Sequence, residues 1–255
     1  MAYNALSLIG DLMLGPLAGA GAKPTYFMEP LNATKLTLNP GKVDQITRIG
    51  RGRTTNGTAK NVLTKVGEAA SFTVENDEFN AQILAIQLRG AASEISQAAE
   101  NVADEQVKVQ LDDWAPFLGA HLADGAVTIT SQDGATTYQE NTHFVLNRRV
   151  GLVKFLSAAQ GAPADGATVL VDYAKAAHAK TRVSGSTTLP SRYAVKYDGI
   201  NQASGKNCLL YAPQAVVAPD GNLELITEAF VTGNLIITPE LVPGETDAYH
   251  YDEDD

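Results

Sequence analysis

The stretch "YDGINQASGKNCLLYAP" (residues 197–213) contains two apolar runs joined by a polar segment with a glycine. This pattern is typical of two β-strands connected by a turn. The stretch also approaches a phosphate-binding loop, because Gly199 and the pair Gly205-Lys206 frame a run of polar residues. That spacing is one residue too long, Asn207 stands where a hydroxyl would hold Mg²⁺, and no helix pattern follows. We therefore expect a β-hairpin without a phosphate site.

The same pattern of apolar alternation and turn signals extends over most of the chain. Asp-Gly pairs, which favour tight turns, occur at residues 124–125, 133–134, 165–166, 198–199 and 220–221. Alternating runs predict strands at "AVTITS" (126–131), "ATVLVDY" (167–173), "RYAVKYD" (192–198) and "NLIIT" (234–238), and a longer run continues over 222–241. The fold class is therefore expected to be mainly β.

One segment has helical periodicity. In "NDEFNAQILAIQLRG" (76–90), Phe79, Ile83 and Ile86 recur at helical spacing. Asn76, Asp77 or Asn80 is a suitable N-cap, acidic residues fill the expected first turn, and Arg89-Gly90 is suited to the end. We expect one α-helix to flank the sheet.

A long strand is predicted just before this helix, at "NVLTKVGEAASFTVE" (61–75). Alternation places one set of residues on a buried face and the other on a face exposed to water. The buried set is Val62, Val66, Phe72 and Val74, and the water-facing set includes Lys65, Ser71, Thr73 and Glu75. The preceding segment, 46–61, is rich in Gly, Thr and Arg and is expected to be a long basic loop.

The two ends of the chain and its middle have distinct compositions. From Glu240 to Asp255 there are seven acidic residues and no Lys or Arg, so this tail could pair with the basic loop, within the chain or between copies. Residues 115–180 have the strands and turns of a separate β-module, and the poorly patterned stretch 91–110 is expected to be a linker with some helical character. The boundaries that we expect are 1–92 and 184–255 for one domain and 93–183 for the linker and insert.

Composition excludes several classes of protein. The chain has 255 residues, of which 44% are hydrophobic and 19% charged, and its net charge is −10. This is typical of a globular protein. The acidic surface disfavours a dedicated nucleic-acid-binding protein, but it does not exclude a protein past which DNA slides without binding. The first 22 residues mimic a secretory signal, but no Lys or Arg precedes Lys23 and Asp11 interrupts the apolar run, so we expect them to remain as an N-terminal arm. No other segment approaches a membrane span.

No motif indicates catalysis or a bound cofactor. The histidines are not spaced as metal ligands, and there is no G-x-S-x-G motif. Cys208 lies in the apolar run "NCLLY", which favours a small buried hydrophobe over a reactive thiol. We expect a protein that is not an enzyme and has no catalytic, cofactor or metal site.

The order of these segments resembles that of the major tail tube protein of long-tailed bacteriophages. Along the chain they are the basic loop, the strand with one face exposed to water, the amphipathic helix, the strands around 197–213 and the run 222–241. The phrase "TSQDGATTYQENTHFVLNRRVGLVKFL" (130–156) resembles a β-domain often inserted in such proteins. The resemblance covers most of the chain. It implies a tail-tube β-sandwich or barrel with one flanking helix, hexameric rings that stack into a tube, and a β-barrel channel that conducts the genome during ejection.

The resemblance also implies roles for particular residues and partners. Lumen-facing candidates are Lys65, Ser71, Thr73 and Glu75; the inter-ring stacking loop would use Arg48, Arg51, Arg53, Asn56 and Lys60; and the C-terminal arm would make contacts through Asp252, Glu253, Asp254 and Asp255. Implied partners are the tape measure protein and passing double-stranded DNA in the lumen, and tail terminator and distal tail proteins at the ends. The protein would assemble in the host cytoplasm and reside in the virion tail, without a membrane. An inserted surface domain would obstruct a contractile sheath, which favours a non-contractile, siphophage-type tail.

A second interpretation from another class stays open. The chain could be an extracellular β-sandwich adhesin or carbohydrate-binding module that uses the 115–180 insert for recognition. Such a protein needs a cluster of exposed aromatic side chains, and the sequence offers only Trp114 and scattered tyrosines.

Overall fold

The computed structural model describes residues 6–117 and 121–254. The chain divides into two compact units, one formed by Met1–Ala92 with Val183–Asp255 and the other by Ser93–Arg182. We call them the first unit and the inserted unit. Both consist mainly of β-structure, as the alternating pattern predicted.

The described residues form eighteen strands and one helix. In chain order the elements are β1 (Leu8–Pro16), β2 (Ala33–Asn39), β3 (Lys42–Ile49), β4 (Ala59–Glu68), β5 (Ser71–Asn76), α1 (Ala81–Gln87), β6 (Ala91–Gln97), β7 (Glu100–Lys108), β8 (Trp114–Pro116), β9 (Thr128–Ser131), β10 (Thr137–Tyr138), β11 (Phe144–Asn147), β12 (Leu152–Phe155), β13 (Thr168–Lys175), β14 (His178–Ser184), β15 (Ser191–Asn201), β16 (Lys206–Pro219), β17 (Gly233–Pro239) and β18 (His250–Glu253).

The first unit is organised by one seven-stranded sheet. Its strand order is β1-β15-β16-β17-β5-β2, and β18 also pairs with β16. All the pairings along this order are antiparallel, and the sheet curls into a half-barrel. The N-terminal segment, expected to be an arm, contributes β1 to this sheet, because Leu12 and Leu14 alternate inward and are buried in its core.

The stretch 197–213 forms a β-hairpin, as predicted, but its turn lies later than the Asp-Gly pair. Asp198 and Gly199 lie inside β15, opposite Leu209 and Cys208. The turn occupies residues 202–205, where Gly205 has a φ of 73°. Gly199 serves close packing instead, since a Cβ there would lie 2.6 Å from the Tyr197 ring.

The core of the first unit lies on one face of the sheet. Phe72 and Val74 of β5 and Leu235 and Ile237 of β17 point inward, and Ile83 of α1 packs against the same cluster. The predicted inward positions at Phe72 and Val74 are thus confirmed, and Cys208 is a buried free thiol in this core.

The helix is shorter than the predicted range 76–90. Asn80 is its N-cap, and its side-chain oxygen accepts a hydrogen bond of 2.8 Å from the backbone N–H of Ile83. The acidic residues expected in the first turn therefore precede the helix. The reason is that Asn76 still belongs to β5, where it pairs with Gly233.

The predicted strand 61–75 is wrong as a single element. The chain leaves the strand conformation at residues 69–70, so β4 pairs with β3 in a separate two-stranded sheet while β5 joins the main sheet. Val62 and Val66, expected in the core, are exposed because β4 has no layer packed against it. The segment 46–61, predicted to be a loop, contains the whole turn of this hairpin and the strand ends on both sides of it.

Two further expectations are corrected. Residues 91–110, expected to be a linker, contain β6 and β7. A β-bulge opposite Asp172 shifts the register of β7 against β13, which breaks the alternation in the sequence. The predicted strand run over 222–241 begins only at Gly233, and residues 222–232 form no strand.

The inserted unit has its own sheets and its own core. Its strand orders are β10-β9-β13-β7, β11-β12-β8 and the pair β14-β6. Phe144, Val153 and Phe155 are buried together with Ile129 and Val171. The core also includes Val107 and Val109, so it begins before the expected limit of residue 115.

The one-sided core generates a stability prediction. Replacing Ile237, whose exposed fraction is 0%, with Ala should lower the free energy of unfolding by about 2–5 kcal/mol, because a buried cavity remains. The matched control is Ile226→Ala, where the side chain is 97% exposed and the change should be within about 0.5 kcal/mol. Urea unfolding of dilute protein measures both. Equal effects would contradict the described inner face.

Candidate functional site

The face of the main sheet opposite α1 carries polar and aliphatic side chains. On β5, Ser71, Thr73 and Glu75 alternate with the buried Phe72 and Val74 and are half-buried. We call this surface the open face. On the three strands β2, β5 and β17 it consists of Lys35, Thr37, Asn39, Ser71, Thr73, Glu75, Asn234, Ile236 and Thr238.

Cross-strand neighbours keep the charge of the open face low. Thr73 lies between Thr37 of β2 and Ile236 of β17 in the registered ladder. Glu75 lies opposite Lys35, so the negative side chain has a positive neighbour across the strand pair. Three of the four predicted lumen residues therefore share a mainly uncharged surface.

Lys65, the fourth lumen candidate, does not belong to this surface. It lies on β4 opposite Asp44 of β3, outside the main sheet. The expectation that Lys65 shares a face with Ser71 is wrong because the chain breaks between β4 and β5. The open face is consequently less basic than the sequence suggested.

The strands β3 and β4 with their connecting turn, residues 42–68, form what we call the basic hairpin. Every residue of β4 is exposed. Val43 lies opposite Val66 on one face of the ribbon, and Ile46 lies opposite Leu63 on the other. A two-stranded hairpin is marginal by itself in water, and this one has apolar side chains exposed on both faces.

The predicted stacking residues all belong to the basic hairpin. Arg48 and Lys60 lie near the strand ends, while Arg51, Arg53 and Asn56 lie in the turn over residues 50–58. All five are exposed. The hairpin therefore projects its positive charges at one end and its apolar pairs along its length.

The C-terminal tail is attached to the chain's own sheet. Glu253 accepts hydrogen bonds from Ser204 Oγ at 2.7 Å and from Asn201 Nδ2 at 3.2 Å, and Asp254 accepts one from Asn207 Nδ2 at 3.1 Å. The bond from Ser204 is the main reason why the pKa of Glu253 is lowered. Asp252 is exposed, and Asp255 lies outside the described residues.

A polar contact around the buried Gln214 side chain holds the segment that follows β1. Arg192 donates two hydrogen bonds to Glu240, of 2.7 and 3.1 Å, and Gln214 Nε2 donates one of 2.6 Å to the same carboxylate. The Gln214 oxygen accepts from the Gly21 N–H at 2.6 Å. Nearby, the Lys196 amine lies 5.7 Å from the centre of the Phe27 ring. These contacts attach the segment around residues 21–27 to β15 and β16.

Sequence reasoning missed this contact, because its members are far apart in the chain and none belongs to a motif. The Arg192 hydrogen bond is the main reason why the pKa of Glu240 is lowered, and it also raises the pKa of Arg192. The pKa of Tyr251 is raised to about 12, mainly by burial and then by its hydrogen bond with Cys208.

Two further features of the described residues are a cavity beside α1 and a pair of histidines in the inserted unit. A cavity of about 260 Å³ beside α1 is lined mainly by apolar and small residues, including Ile86, Pro190 and Val217. In the inserted unit, the rings of His121 and His178 stack with centroids 3.6 Å apart, a proximity that their sequence spacing did not predict. Within residues 6–117 and 121–254, no group of three or more His, Cys, Asp or Glu side chains is placed to hold a metal ion.

A further question is whether a helix could span a membrane. In the part of the chain that the structure describes, no helix has the length and hydropathy needed to cross a bilayer.

The chain matches a protein-family model over most of its length. Residues 5–243 match a family model described as a protein of unknown function, UCP028589. The chain belongs to that family. No curated protein matches the chain. Family membership thus covers the open face, the basic hairpin and the inserted unit together, without assigning them an activity.

The Glu240 contact generates a prediction about the segment around Gly21. The folded-state pKa of Glu240 is lowered, so its contribution to stability is present above the unfolded-state pKa and is lost as pH falls through the folded-state pKa. Glu240→Gln should lower the protection factor of the Gly21 amide at neutral pH. It should also abolish the loss of protection that we expect the unmodified protein to show as the pH falls.

Hydrogen exchange read by NMR measures this effect. Glu245→Gln is the matched control, since Glu245 is exposed. Unchanged protection of the Gly21 amide in the Glu240 variant would show that the carboxylate does not hold this segment.

Proposed function

We propose that the protein is a structural subunit that assembles into hexameric rings, and that these rings stack into the tail tube of a long-tailed bacteriophage. The observation that carries the proposal is the basic hairpin, whose apolar pairs are exposed on both faces in the single chain. An element of this kind gains its stability by packing against another protein surface. Copies of the same chain are the simplest source of that surface.

The ends of the main sheet support ring formation. β2 is the last strand at one end, and in the described residues its outer edge has no partner strand. At the other end, Leu8 and Ile9 of β1 are exposed. Open edges are normally paired or protected. The chain's own Leu31 and Met28 N–H groups already bond the outer edge of β1 at Leu12 and Leu14. Pairing β2 of one copy with the part of β1 before Leu12 in the next copy would join the half-barrel sheets into a closed barrel.

The open face suits the wall of a DNA channel. DNA carries about one negative charge per 1.7 Å, and a lining rich in Lys or Arg would retain it. The open face instead offers Ser71, Thr73 and the pair Glu75–Lys35, which together give little net charge. We therefore retain Ser71, Thr73 and Glu75 as lumen-facing candidates and withdraw Lys65.

The proposal also assigns partners and a location. The tape measure protein and double-stranded DNA would occupy the lumen in turn, and tail terminator and distal tail proteins would cap the tube. The inserted unit would decorate the outside of a non-contractile tail in the virion, after assembly in the host cytoplasm. The protein would have no enzymatic role and no cofactor.

The adhesin or carbohydrate-binding interpretation gains no specific support. Such a site requires several aromatic side chains on one surface. In the described part of the inserted unit, Trp114 and Val150 are the large hydrophobic residues that stand exposed.

The assembly proposal predicts rings and tubes of purified protein in negative-stain electron microscopy. Replacing residues 51–57 by a two-residue Asn-Gly turn should leave a folded subunit and abolish long tubes, because it removes Arg51 and Arg53 and the end of the hairpin. Replacing the hairpin turn at residues 132–135 of the inserted unit by Asn-Gly is the control. Dispersed monomers of the unmodified protein at all concentrations would overturn the proposed function.

The channel proposal predicts that added positive charge traps DNA. With Thr73→Lys and Glu75→Lys, tubes assembled with short double-stranded DNA at low salt should protect that DNA from nuclease, and added salt should release it. The core residues Phe72 and Val74 are untouched, so assembly should persist. The control is Asp124→Lys with Thr137→Lys in the inserted unit, which adds the same charge and should leave bound DNA open to nuclease.

A further inference from the structure

Residues 220–232, which we call the acidic loop, carry apolar side chains that remain largely exposed among the described residues. The exposed fractions are 71% for Leu225, 97% for Ile226 and 89% for Phe230. Between Asn222 and Thr232 the hydrogen bond that the structure shows is local, from the Ala229 N–H to Thr227 Oγ1. Large apolar side chains concentrated on such a short exposed segment mark an interaction surface.

The charge of the acidic loop has one sign. It contains Asp220, Glu224 and Glu228 and no basic residue, and after Lys206 the chain has no Lys or Arg at all. Its partner should therefore present apolar side chains among positive charges.

The basic hairpin has these properties. Between residues 45 and 67 the chain has five basic residues and no acidic one. Apolar pairs such as Ile46–Leu63 are exposed beside them. Of the exposed surfaces in the described residues, the acidic loop and the basic hairpin are thus matched in both charge and hydropathy.

We infer that the acidic loop is the surface on which the basic hairpin of a second copy docks. This inference rests on the proposed assembly and names its contact. Both surfaces are exposed in one and the same chain, so the hairpin does not cover its own loop. The C-terminal tail is the less suitable partner, because Glu253 and Asp254 already accept hydrogen bonds within the chain.

A charge exchange between two variants tests the contact. The hairpin variant carries Arg51→Glu and Arg53→Glu, and the loop variant carries Glu224→Lys and Glu228→Lys; all four positions are exposed. In each variant alone, the hairpin tip (residues 50–58) and the acidic loop have net charges of the same sign: two Glu against three acidic residues in the hairpin variant, and Arg51 and Arg53 against a net charge of +1 in the loop variant. Self-association should therefore weaken by ~10-fold or more. Mixing the two variants pairs opposite charges at every contact and should restore association, as should combining all four changes in one chain.

Sedimentation velocity at low salt, followed by electron microscopy, gives the readout. Circular dichroism establishes that each variant is folded. If the unmodified protein associates but the mixture and the combined variant do not, the docking contact is wrong while the proposed assembly stands. If the unmodified protein never associates, both are overturned.

The apolar part of the contact has an independent test at high salt, where surface charges are screened. Ile226→Ser with Phe230→Ser should weaken association by ~10-fold or more, because apolar area leaves the contact. The control, Leu189→Ser, removes an apolar side chain that is 85% exposed elsewhere in the first unit and should leave association unchanged. Equal loss in both variants would contradict a specific role of the acidic loop.

Discussion

The pairing of β16 with its neighbours is the constraint on which the first unit depends. Along one side this strand pairs with β15, and along the other it pairs first with β18 and then with β17. A bulge at Pro213–Gln214, opposite Ala194, changes which residues of β16 face the core, from Cys208 and Ala212 to Ala215 and Val217. Pro213 is compatible with a bulge because it has no N–H to donate. The bulge also frees Gln214 to bind Gly21 and Glu240.

The charges of the chain are distributed unevenly between the basic hairpin and the segments that follow β16. Positive charge is concentrated on a hairpin without a core, and the last part of the chain is uniformly acidic. Each single chain therefore exposes apolar and charged surfaces that lack a partner within the described residues, and its net charge is −10. Attraction between unlike surfaces of identical copies generates open stacks rather than closed pairs.

The sequence predicted the features that depend on local pattern. The hairpin at 197–213, the inward Phe72 and Val74 and the mainly β class follow from period-two alternation, which one buried face imposes. The wrong predictions concern segments in which the alternation continues across a break or is interrupted within a strand. The alternation runs on from β4 into β5, so a single strand was predicted there. The bulge in β7 interrupts the alternation, so a linker was predicted in place of that strand. Contacts between distant residues, such as Gly21 with Gln214 and His121 with His178, have no local signal and could not be predicted.

The connection of the inserted unit to the chain has an evolutionary consequence. The strands that lead into and out of this unit, β6 and β14, pair with each other. The two ends of the insertion are thus held side by side, and the entropy lost on closing such a connection grows only slowly with its length. Modules of very different size could be exchanged at this two-stranded stalk while the seven-stranded sheet keeps the same order, which makes the stalk a natural position for acquiring or displaying foreign domains.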